Sequence, residues 1–411
     1  MMKRIFIHRW TLSLLAVVLA WTAPSCSTDP AAFHWPSTLY EVKVQAVYPE
    51  GYETYVREGV NVKFSSIYSN QVYTVKTDAQ GCISAQLPSG LYRLSISDRL
   101  GDLVFNGSDS RFLVSGSRSA SLKLAASVSG PLLIRELYVG GCSKAPKEGT
   151  YQSDQYVLLH NNTADILYLD SLCFGTLTPY NATGVNHWTD SEGNFPPFAP
   201  IVTVVWRFPG DGTRYPLEPG EDALIALRGA IDHTLEYPLS VNLNRPDCFV
   251  CYNPAYFPNP IYHPAPGDRI RQDHILEVLV KTGQSNANTV SINSPTFLLF
   301  KSKGVSMDDW IQQEDVIRVT PGASSDVIVT IPWEWVIDAV EVFDGSSTGN
   351  KKRLPPDQDA GFVSQMETFK GYALTRKIDE EATLDAGYTV LMDSNNSSND
   401  FYQSDKALLR P

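Results

Sequence analysis

Charged residues and long apolar runs are both scarce in this sequence. Asp, Glu, Lys and Arg make up 19% of its 411 residues, and the formal net charge is −12. An acidic chain with few cations lacks the basic surface that attracts nucleic acids or anionic lipids, so neither is expected as a partner. The glycine patterns of P-loops and dinucleotide-binding folds are also absent, which leaves no signal for a nucleotide cofactor.

Cysteine is also rare, and the first of the six cysteines belongs to the strongest signal in the chain. Three basic residues within the first nine precede an apolar run over 12–21, which is shorter than the roughly 20 residues of a membrane-spanning helix. The sequence Ala-Pro-Ser before Cys26 resembles a bacterial lipobox. These features predict a signal peptide at 1–25, lipidation of Cys26 and a short tether over 26–37. The alternative is an ordinary signal peptide with a chance cysteine.

The other five cysteines leave their pairing open. They are Cys82, Cys142, Cys173, Cys248 and Cys251. The cell envelope permits disulfides, but an odd number leaves at least one thiol free. Cys248 and Cys251 are compatible with a local bridge, half of a metal site or two unpaired thiols. Since only His263 and His274 follow closely as further ligands, no metal site is predicted.

Aromatic and turn-forming residues are abundant instead. Aromatics make up 11% of the chain, and Gly and Pro number 27 each, which is typical of short strands joined by turns. Apolar and polar residues alternate over much of 39–96, which predicts half-buried antiparallel strands. Over 77–94 the chain reads T-D-x-x-G, a strand, then L-P-x-G-x-Y-x-L. This motif resembles the carboxypeptidase-regulatory or transthyretin-like modules, and the resemblance implies a small β-sandwich over 38–126 without activity of its own.

The remaining part, 127–411, carries a second series of strand motifs. Glu136 lies in an I-x-E-L strand, residues 156–161 read Y-V-L-L-H-N, and an L-x-P-G turn ends at Gly220. Their order is similar to the lamin-tail domain, which implies an immunoglobulin-like β-sandwich with large loop insertions at 177–205 and 229–300. Prolines fix φ and remove donors, so the insertions are predicted as shaped loops, with one strand over 273–281. The predicted fold class is therefore all-β.

The C-terminal third carries the broadest resemblance. The strand over 336–340, the strand with Arg376 and the N-N-S-x-x-D-F ending at Phe401 are similar to an uncharacterised family of Bacteroidota surface lipoproteins. In that family a regulatory-like module precedes a lamin-tail-like domain. The resemblance implies a lipid-anchored outer-membrane protein at the cell surface, with a TonB-dependent-receptor-like β-barrel as its partner. It carries over no catalytic residue and no cofactor.

Loops rich in aromatic residues are the candidate interaction surface. Tyr and Trp dominate binding hot spots, and loops on a rigid sandwich are where binding residues concentrate. The candidates are Trp188, Phe198, Tyr252, Tyr256, Phe257 and Tyr262. The alternative is a set of loops whose aromatic side chains pack onto the sandwich, and the sequence leaves both interpretations open.

Catalytic and metal-binding interpretations are weaker. His187 lies near Asp190 and Glu192, but a loop histidine beside carboxylates is expected to be solvated. The segment 393–404 has oxygen ligands at alternate positions but lacks the glycine at position six and the glutamate at position twelve of a calcium loop. A turn stabilised by Asx hydrogen bonds is the favoured interpretation. No catalytic residue is assigned.

Three functions follow, in order of preference. The first is a non-enzymatic outer-membrane lipoprotein that docks on a β-barrel, as an accessory subunit for nutrient uptake or for outer-membrane assembly. The second is a free-standing adhesion lipoprotein that binds a glycan or a peptide through its aromatic loops. The third is an envelope hydrolase.

Overall fold

The computed structural model describes residues 38–69, 71–101, 103–283, 285–322 and 327–410. The predicted signal peptide, Cys26 and the tether lie outside the described residues. From Leu39 onward the chain forms one compact unit. Within the described ranges, no helix has the length and apolar character needed to cross a membrane.

The strands between Leu39 and Val128 form two sheets. They are β1 (Leu39–Val47), β2 (Asn61–Ser66), β3 (Val72–Lys76), β4 (Cys82–Pro88), β5 (Gly90–Leu100), β6 (Leu103–Val114), β7 (Arg118–Lys123) and β8 (Ala125–Val128), with a 3-10 helix at Glu53–Tyr55. One sheet has the order β4-β1-β7, and the other has the order β3-β2-β5-β6-β8. Strands β1 and β7 are parallel, and the other neighbours are antiparallel.

Alternating residues of both sheets share one core. Val42 and Val44 of β1 and Phe64 of β2 are fully buried and belong to the same apolar cluster. Burying each such side chain contributes about 1.5–3 kcal/mol to folding. The two sheets therefore pack face to face as a β-sandwich, called the first sandwich below.

The motif over 77–94 forms the predicted turn and inward-facing tyrosine. Asp78 Oδ1 accepts the backbone N–H groups of Gln80 and Cys82 at 3.0 and 2.8 Å, and Gly81 has a φ of 74°, which favours glycine. Tyr92 is 3% exposed, and its hydroxyl donates to the Pro88 carbonyl at 2.9 Å. The motif thus fixes the reversal between β3 and β4 and part of the core.

The strands after Val128 form two larger sheets and two small two-stranded sheets. They are β9 (Leu132–Tyr138), β10 (Cys142–Ser143), β11 (Thr150–Tyr151), β12 (Tyr156–Asn161), β13 (Leu167–Tyr168), β14 (Cys173–Leu177), β15 (Phe198–Arg207), β16 (Pro216–Leu217), β17 (Asp222–Ala226), β18 (Cys248–Val250), β19 (Glu277–Lys281), β20 (Thr296–Phe300), β21 (Ile317–Val319), β22 (Val327–Pro332), β23 (Val336–Asp344), β24 (Val363–Gln365), β25 (Ala373–Arg376) and β26 (Phe401–Ser404). The helices are α1 (Met307–Trp310), α2 (Glu380–Ala386) and α3 (Ser397–Asp400), with 3-10 helices at His233–Leu235, Gln272–His274 and Trp333–Trp335.

The two larger sheets enclose a second apolar core. One sheet has the order β18-β17-β12-β9-β25-β26, and the other has the order β21-β22-β15-β14-β20-β23-β24, with β19 also paired to β15. Leu159 and Ile225 of the first sheet share an apolar cluster with Trp206 and Leu299 of the second. This is the second sandwich, and the all-β prediction is confirmed. The assignment of the two sandwiches to regulatory-like and lamin-tail-like modules, with a boundary near residue 126, stays a prediction.

Two segments predicted as loop insertions contribute strands to the sheets. Strand β15 begins at Phe198 and lies between β22 and β14, although Pro200 belongs to it. Pro200 is tolerated because it lies just beyond the end of the pairing with β14. Its carbonyl still accepts the Thr178 N–H at 3.1 Å, and the sheet lacks only the hydrogen bond that a Pro200 N–H would donate. Strands β18 and β20 lie within 229–300, and every side chain of β20 is buried. The strand predicted over 273–281 is present at Glu277–Lys281.

Candidate binding cleft between the two sandwiches

The six aromatic residues predicted as an interaction surface do not form one patch. The Trp188 and Phe198 rings meet edge to face with centroids 5.4 Å apart, and the Arg318 guanidinium lies 5.0 Å from the Phe198 ring. Phe257 is 1% exposed and stacks on Trp206 at 5.7 Å. Phe198 and Trp206 are eight residues apart along β15, which separates the two groups by roughly 26 Å.

The Tyr252–His263 loop is partly core and partly surface. Tyr252 stacks on the buried His263, with ring centroids 5.3 Å apart. Burial lowers the pKa of His263 to about 4, so this histidine is neutral near pH 7. Phe257 is a core residue and cannot present a contact surface, whereas Tyr256 and Tyr262 are each 49% exposed. In this loop Phe257 therefore packs onto the sandwich, whereas Tyr256 and Tyr262 have the exposure that a contact surface requires.

Cys248 and Cys251 point into different cores. Cys248 packs in the cluster that contains Tyr138, and Cys251 packs in the cluster that contains Phe257. Side chains three residues apart on extended backbone face opposite sides, so this geometry supports neither a local bridge nor a shared metal site. All five described cysteines are free thiols. Burial raises the pKa of Cys248 to about 12, which makes it a poor nucleophile.

Four of the five described histidines take part in structural contacts. His160 bonds the Asp222 carboxylate at 2.6 Å, and His233 bonds the Tyr151 hydroxyl at 2.8 Å. Within the described ranges, no histidine bonds a serine or cysteine side chain, and no group of three or more His, Cys, Asp or Glu residues has the arrangement of a metal site. His187 is exposed, as expected for a solvated loop residue.

One serine motif escaped the sequence-based prediction. Residues 345–349 have the G-x-S-x-G spacing of a hydrolase nucleophile, with Ser347 at its centre. Such a nucleophile requires a strand, a sharp turn and then a helix. Ser347 lies in a turn after β23 that no helix follows, and its oxygen accepts the Gly349 N–H at 3.1 Å. The motif therefore lacks its catalytic context.

The Asp393–Asp400 segment, considered above as a calcium loop, is a hydrogen-bonded turn that leads into α3. Asp400 accepts the Ser394 N–H at 2.9 Å and the Ser394 hydroxyl at 2.7 Å. Asp393 accepts the Gly130 N–H at 2.8 Å. Because these carboxylates already have protein donors, the Asx-turn interpretation fits the contacts better than a calcium loop.

Arg376 lies behind this segment and faces three carboxylates. Its Nη2 donates to both oxygens of Asp338 at 2.9 and 2.7 Å, and its Nη1 donates to Asp393 at 3.2 Å. Asp400 Oδ2 lies 3.8 Å from the same Nη1. Burial raises the pKa of Asp400 to about 7 and that of Asp338 to about 6, and Arg376 offsets only part of this effect. The network fixes the Asp393–Asp400 segment to the second sandwich.

A second buried ion pair fixes the segment 350–357. Arg353 and Glu341 are almost fully buried, and Arg353 donates to Glu341 Oε1 from Nε at 2.9 Å and from Nη2 at 2.6 Å. Glu341 Oε2 also accepts the backbone N–H groups of Arg353 and Leu354 at 2.8 and 3.1 Å. Removing one partner of such a pair leaves an uncompensated buried charge, so the backbone here has little freedom to move.

The Asp393–Asp400 segment also joins the two sandwiches. The Asn106 side chain of β6 donates to the Ser394 carbonyl at 2.6 Å. In return, the Asn395 side chain donates to the Ser127 hydroxyl at 2.9 Å. One face of the segment thus bonds the first sandwich while the other bonds Arg376, which sets the relative position of the two sandwiches.

A cleft of about 960 Å³ lies between them. The first sandwich contributes Ser108, Asp109 and Arg111, and the second contributes the loop 185–196, Trp333 and part of 350–357. Trp333 Nε1 donates to the Pro196 carbonyl at 2.8 Å, which fastens the loop to the second sandwich. The volume is that of a typical ligand site. A smaller cavity of about 230 Å³ adjoins the cleft and shares Ser108, Asp109 and Lys352 with it.

The fold and the cleft together define an all-β protein of two sandwiches with a preformed surface site between them. Residues 218–408 match the family model described as "Protein of unknown function (DUF4876)". A solved structure, the crystal structure of a DUF4876 family protein from Bacteroides thetaiotaomicron VPI-5482, is 24% identical with a TM-score of 0.56. The match covers 90% of this chain and 97% of that chain.

Two further findings complete the comparison. A DUF3823 family protein from Parabacteroides merdae ATCC 43184 is 15% identical, over 42% of this chain and 83% of that chain, with a TM-score of 0.17. No curated protein matches the chain. The predicted resemblance to an uncharacterised Bacteroidota family is confirmed. The order of a regulatory-like and a lamin-tail-like module within it stays a prediction. None of the matches indicates catalysis.

The cleft itself was not predicted from the sequence. Its walls come from β6, the loop 185–196 and the segment 350–357, which are far apart in the chain. The loop 185–196 belongs to the predicted 177–205 insertion, but nothing in the sequence indicates that it lies beside β6. The buried charges Glu341 and Arg353 that position one wall lie in the sequence among apolar and polar residues without a recognisable motif.

Proposed function

We propose that this protein is a non-enzymatic lipoprotein of the cell envelope that binds a partner through the cleft between its two sandwiches. The observation that carries the proposal is the cleft, whose walls are fixed by the Glu341–Arg353 and Asp338–Arg376 ion pairs. Preformed walls lose little conformational entropy when a partner binds, so more of the contact energy contributes to affinity.

For the partner we propose an outer-membrane β-barrel of the TonB-dependent-receptor type, in nutrient uptake or in outer-membrane assembly. The lipobox-like residues at Cys26 support this choice, because an acylated anchor keeps the folded body beside the membrane in which such barrels lie. The cleft carries both signs of charge, with Arg111 and Lys351 on its walls and Asp190 and Glu192 on its loop. Mixed charge gives specificity for a protein surface of complementary pattern.

A glycan or peptide ligand is the second candidate. Phe195 and Trp333 contribute aromatic surface to the cleft beside carboxylates and amides, such as those of Asp190 and Asn194. Aromatic faces combined with a few polar groups are common in small-ligand sites. An envelope hydrolase has no comparable support, because the described residues include no histidine bonded to a serine or cysteine side chain.

Affinity purification of the full chain from native membranes in mild detergent tests the proposal. We expect a stoichiometric β-barrel protein to co-purify, and we expect the double variant Glu192→Lys/Lys351→Glu to lose it, since both side chains are exposed on the cleft. The matched control is Lys147→Glu/Glu236→Lys, which reverses an exposed ion pair outside the cleft. Cys26→Ser should release the protein from the membrane fraction.

Two results would contradict the proposal. Retention of the barrel by the cleft variant would place the docking surface elsewhere on the molecule. A monomeric protein without a barrel partner, but with saturable binding of a glycan or peptide, would favour the second candidate.

A further inference from the structure

The outer face of the sheet β3-β2-β5-β6-β8 carries an unusual row of polar side chains. Successive side chains of a β-strand point to opposite faces of the sheet. Phe64 of β2 and Leu94 of β5 point into the core, so the neighbouring side chains point outward, namely Lys63, Ser65, Arg93 and Ser95. The register pairs Lys63 with Ser95, Ser65 with Arg93, and Ser95 with Ser108 of β6. Directly paired residues of antiparallel strands share a face, so two cations and three hydroxyls lie side by side.

The second sandwich covers this row and encloses the 230 Å³ cavity. Residues 360–362 and Ser398 form the cover, and Lys63, Arg93 and the three serines line the opposite side. The Arg93 guanidinium lies 4.6 Å from the centroid of the Phe362 ring, which in turn stacks on Phe343 at 4.3 Å. The row is therefore partly shielded from bulk water, while the space in front of it is not filled by protein.

Among the described residues, Arg93 is a partly buried arginine without a carboxylate partner, and unlike the buried Arg228, which donates to the Tyr262 and Gln152 carbonyls, it has no backbone acceptor either. Arg353 is paired with Glu341 and Arg376 with Asp338, whereas no ion pair or hydrogen bond of the Arg93 side chain occurs within the described ranges. Burial lowers the pKa of Arg93, because partial desolvation disfavours its cation. The cation–π contact with the Phe362 ring offsets only part of the hydration energy that the Arg93 cation loses on burial.

The remaining charges around the cavity do not neutralise Arg93. The Lys63 ammonium donates to the Asn399 side-chain oxygen, which is neutral, and burial lowers the pKa of Lys63. Lys352 faces Glu341 at 3.7 Å. Asp109 is the one carboxylate on the described lining, and its Oδ1 accepts the Arg111 backbone N–H at 2.9 Å. Two cations thus face the cavity against a single, partly engaged carboxylate.

We propose that this cavity is an anion subsite that takes the carboxylate or phosphate group of a small ligand between Arg93 and Lys63. The serine hydroxyls of the row donate to the remaining anion oxygens, and the rest of the ligand extends past Ser108 into the adjoining cleft. Guanidinium and ammonium groups in a partly desolvated site are strong donors to such oxygens. This inference deepens the proposed binding role of the cleft and names a charge class for its ligand.

Isothermal titration calorimetry on the full chain in mild detergent, at constant ionic strength, tests the subsite. The probes are inorganic phosphate, galacturonate and neutral galactose. We expect saturable binding in the millimolar range or tighter for phosphate, galacturonate or both, and no binding of galactose. Binding of one anion but not the other identifies which group the subsite prefers.

The variant Arg93→Gln should weaken anion binding about tenfold or more, since a hydrogen bond to a charged group is lost. Lys63→Gln should act in the same direction and replaces Arg93→Gln if that variant fails to fold. The control is Arg99→Gln, an exposed cation of the same strand whose Nε donates to the Gly101 carbonyl. Absence of saturable anion binding, or an equal loss in Arg99→Gln, overturns the subsite. Neither result depends on whether a barrel partner co-purifies, so the two proposals can fail separately.

Discussion

At the scale of single residues, Arg376 faces three carboxylates in the interior of the second sandwich. One guanidinium cannot compensate Asp338, Asp393 and Asp400 together when all are ionised, since all four groups are buried. A proton retained on this cluster removes part of the imbalance. Burial is the main cause of the raised pKa of Asp400, at about 7, and of Asp338, at about 6, and the neighbouring Asp393 carboxylate adds to both shifts.

The retained proton makes stability depend on pH. In the unfolded chain Asp400 titrates near its ordinary pKa of 3.8, and in the folded chain near about 7. Between these values the folded state binds a proton that the unfolded state lacks. The resulting stabilisation is complete below the unfolded pKa and is lost as the pH rises through the folded pKa. We expect the free energy of unfolding, measured with urea, to fall between about pH 4 and pH 7, and Asp400→Asn to reduce this slope.

The matched control for this experiment is Asp385→Asn, an exposed carboxylate on α2. It should keep the slope of the unsubstituted protein. An unchanged slope in Asp400→Asn would show that the proton is held elsewhere.

At the scale of elements, the short helix α3 and the Asp393–Asp400 turn depend on close contact with Gly361. A Cβ at residue 361 would lie 2.0 Å from Asn396 Oδ1 and 2.7 Å from the Ser398 nitrogen. Gly361→Ala must therefore displace the turn that joins the two sandwiches, and we expect a loss of about 1–3 kcal/mol of unfolding free energy. Urea denaturation measures the loss, and hydrogen exchange should be faster over 394–400.

Gly116→Ala provides the comparison, because a Cβ there meets nothing within 4 Å. Its unfolding free energy should be unchanged or slightly higher, since alanine restricts the unfolded chain. If Gly361→Ala proved as stable as Gly116→Ala, the close packing of this turn would not matter to the fold.

The sequence predicts some elements far better than others. Half-buried strands such as β1 and β5 alternate with period two, and the structure contains them where the pattern indicates. Strand β20 has five consecutive buried residues, so it carries no alternation and was taken as part of a loop insertion. Residues 198–205 of strand β15 also fall in a predicted loop insertion, because the prolines of this segment favour loop structure in most contexts.

At the scale of the whole molecule, the candidate site arises from long-range packing. The all-β class follows from composition and periodicity, but the cleft needs the loop 185–196 and the segment 350–357 to meet β6. Buried ion pairs such as Glu341–Arg353 hold the segment 350–357 in its place on the cleft. The sequence does not show which charged residues form such pairs, because the partners come together only in the folded chain. Aromatic composition also fails to identify the surface residues before the chain is folded. Tyr256 and Phe257 are adjacent aromatic residues of one loop, yet Tyr256 is exposed and Phe257 is buried.

We propose that a partner contacts this protein through the cleft while a lipid anchor at Cys26 holds the folded body at the membrane. Photo-cross-linking in intact cells probes this contact, with a benzophenone amino acid at Glu192 on the cleft loop and, in parallel, at Glu236 outside the cleft. We expect one prominent adduct from position 192, of the mass of this chain plus an outer-membrane barrel, and none from position 236. Equal adducts from both positions, or none from position 192, would rule out the cleft as the contact surface.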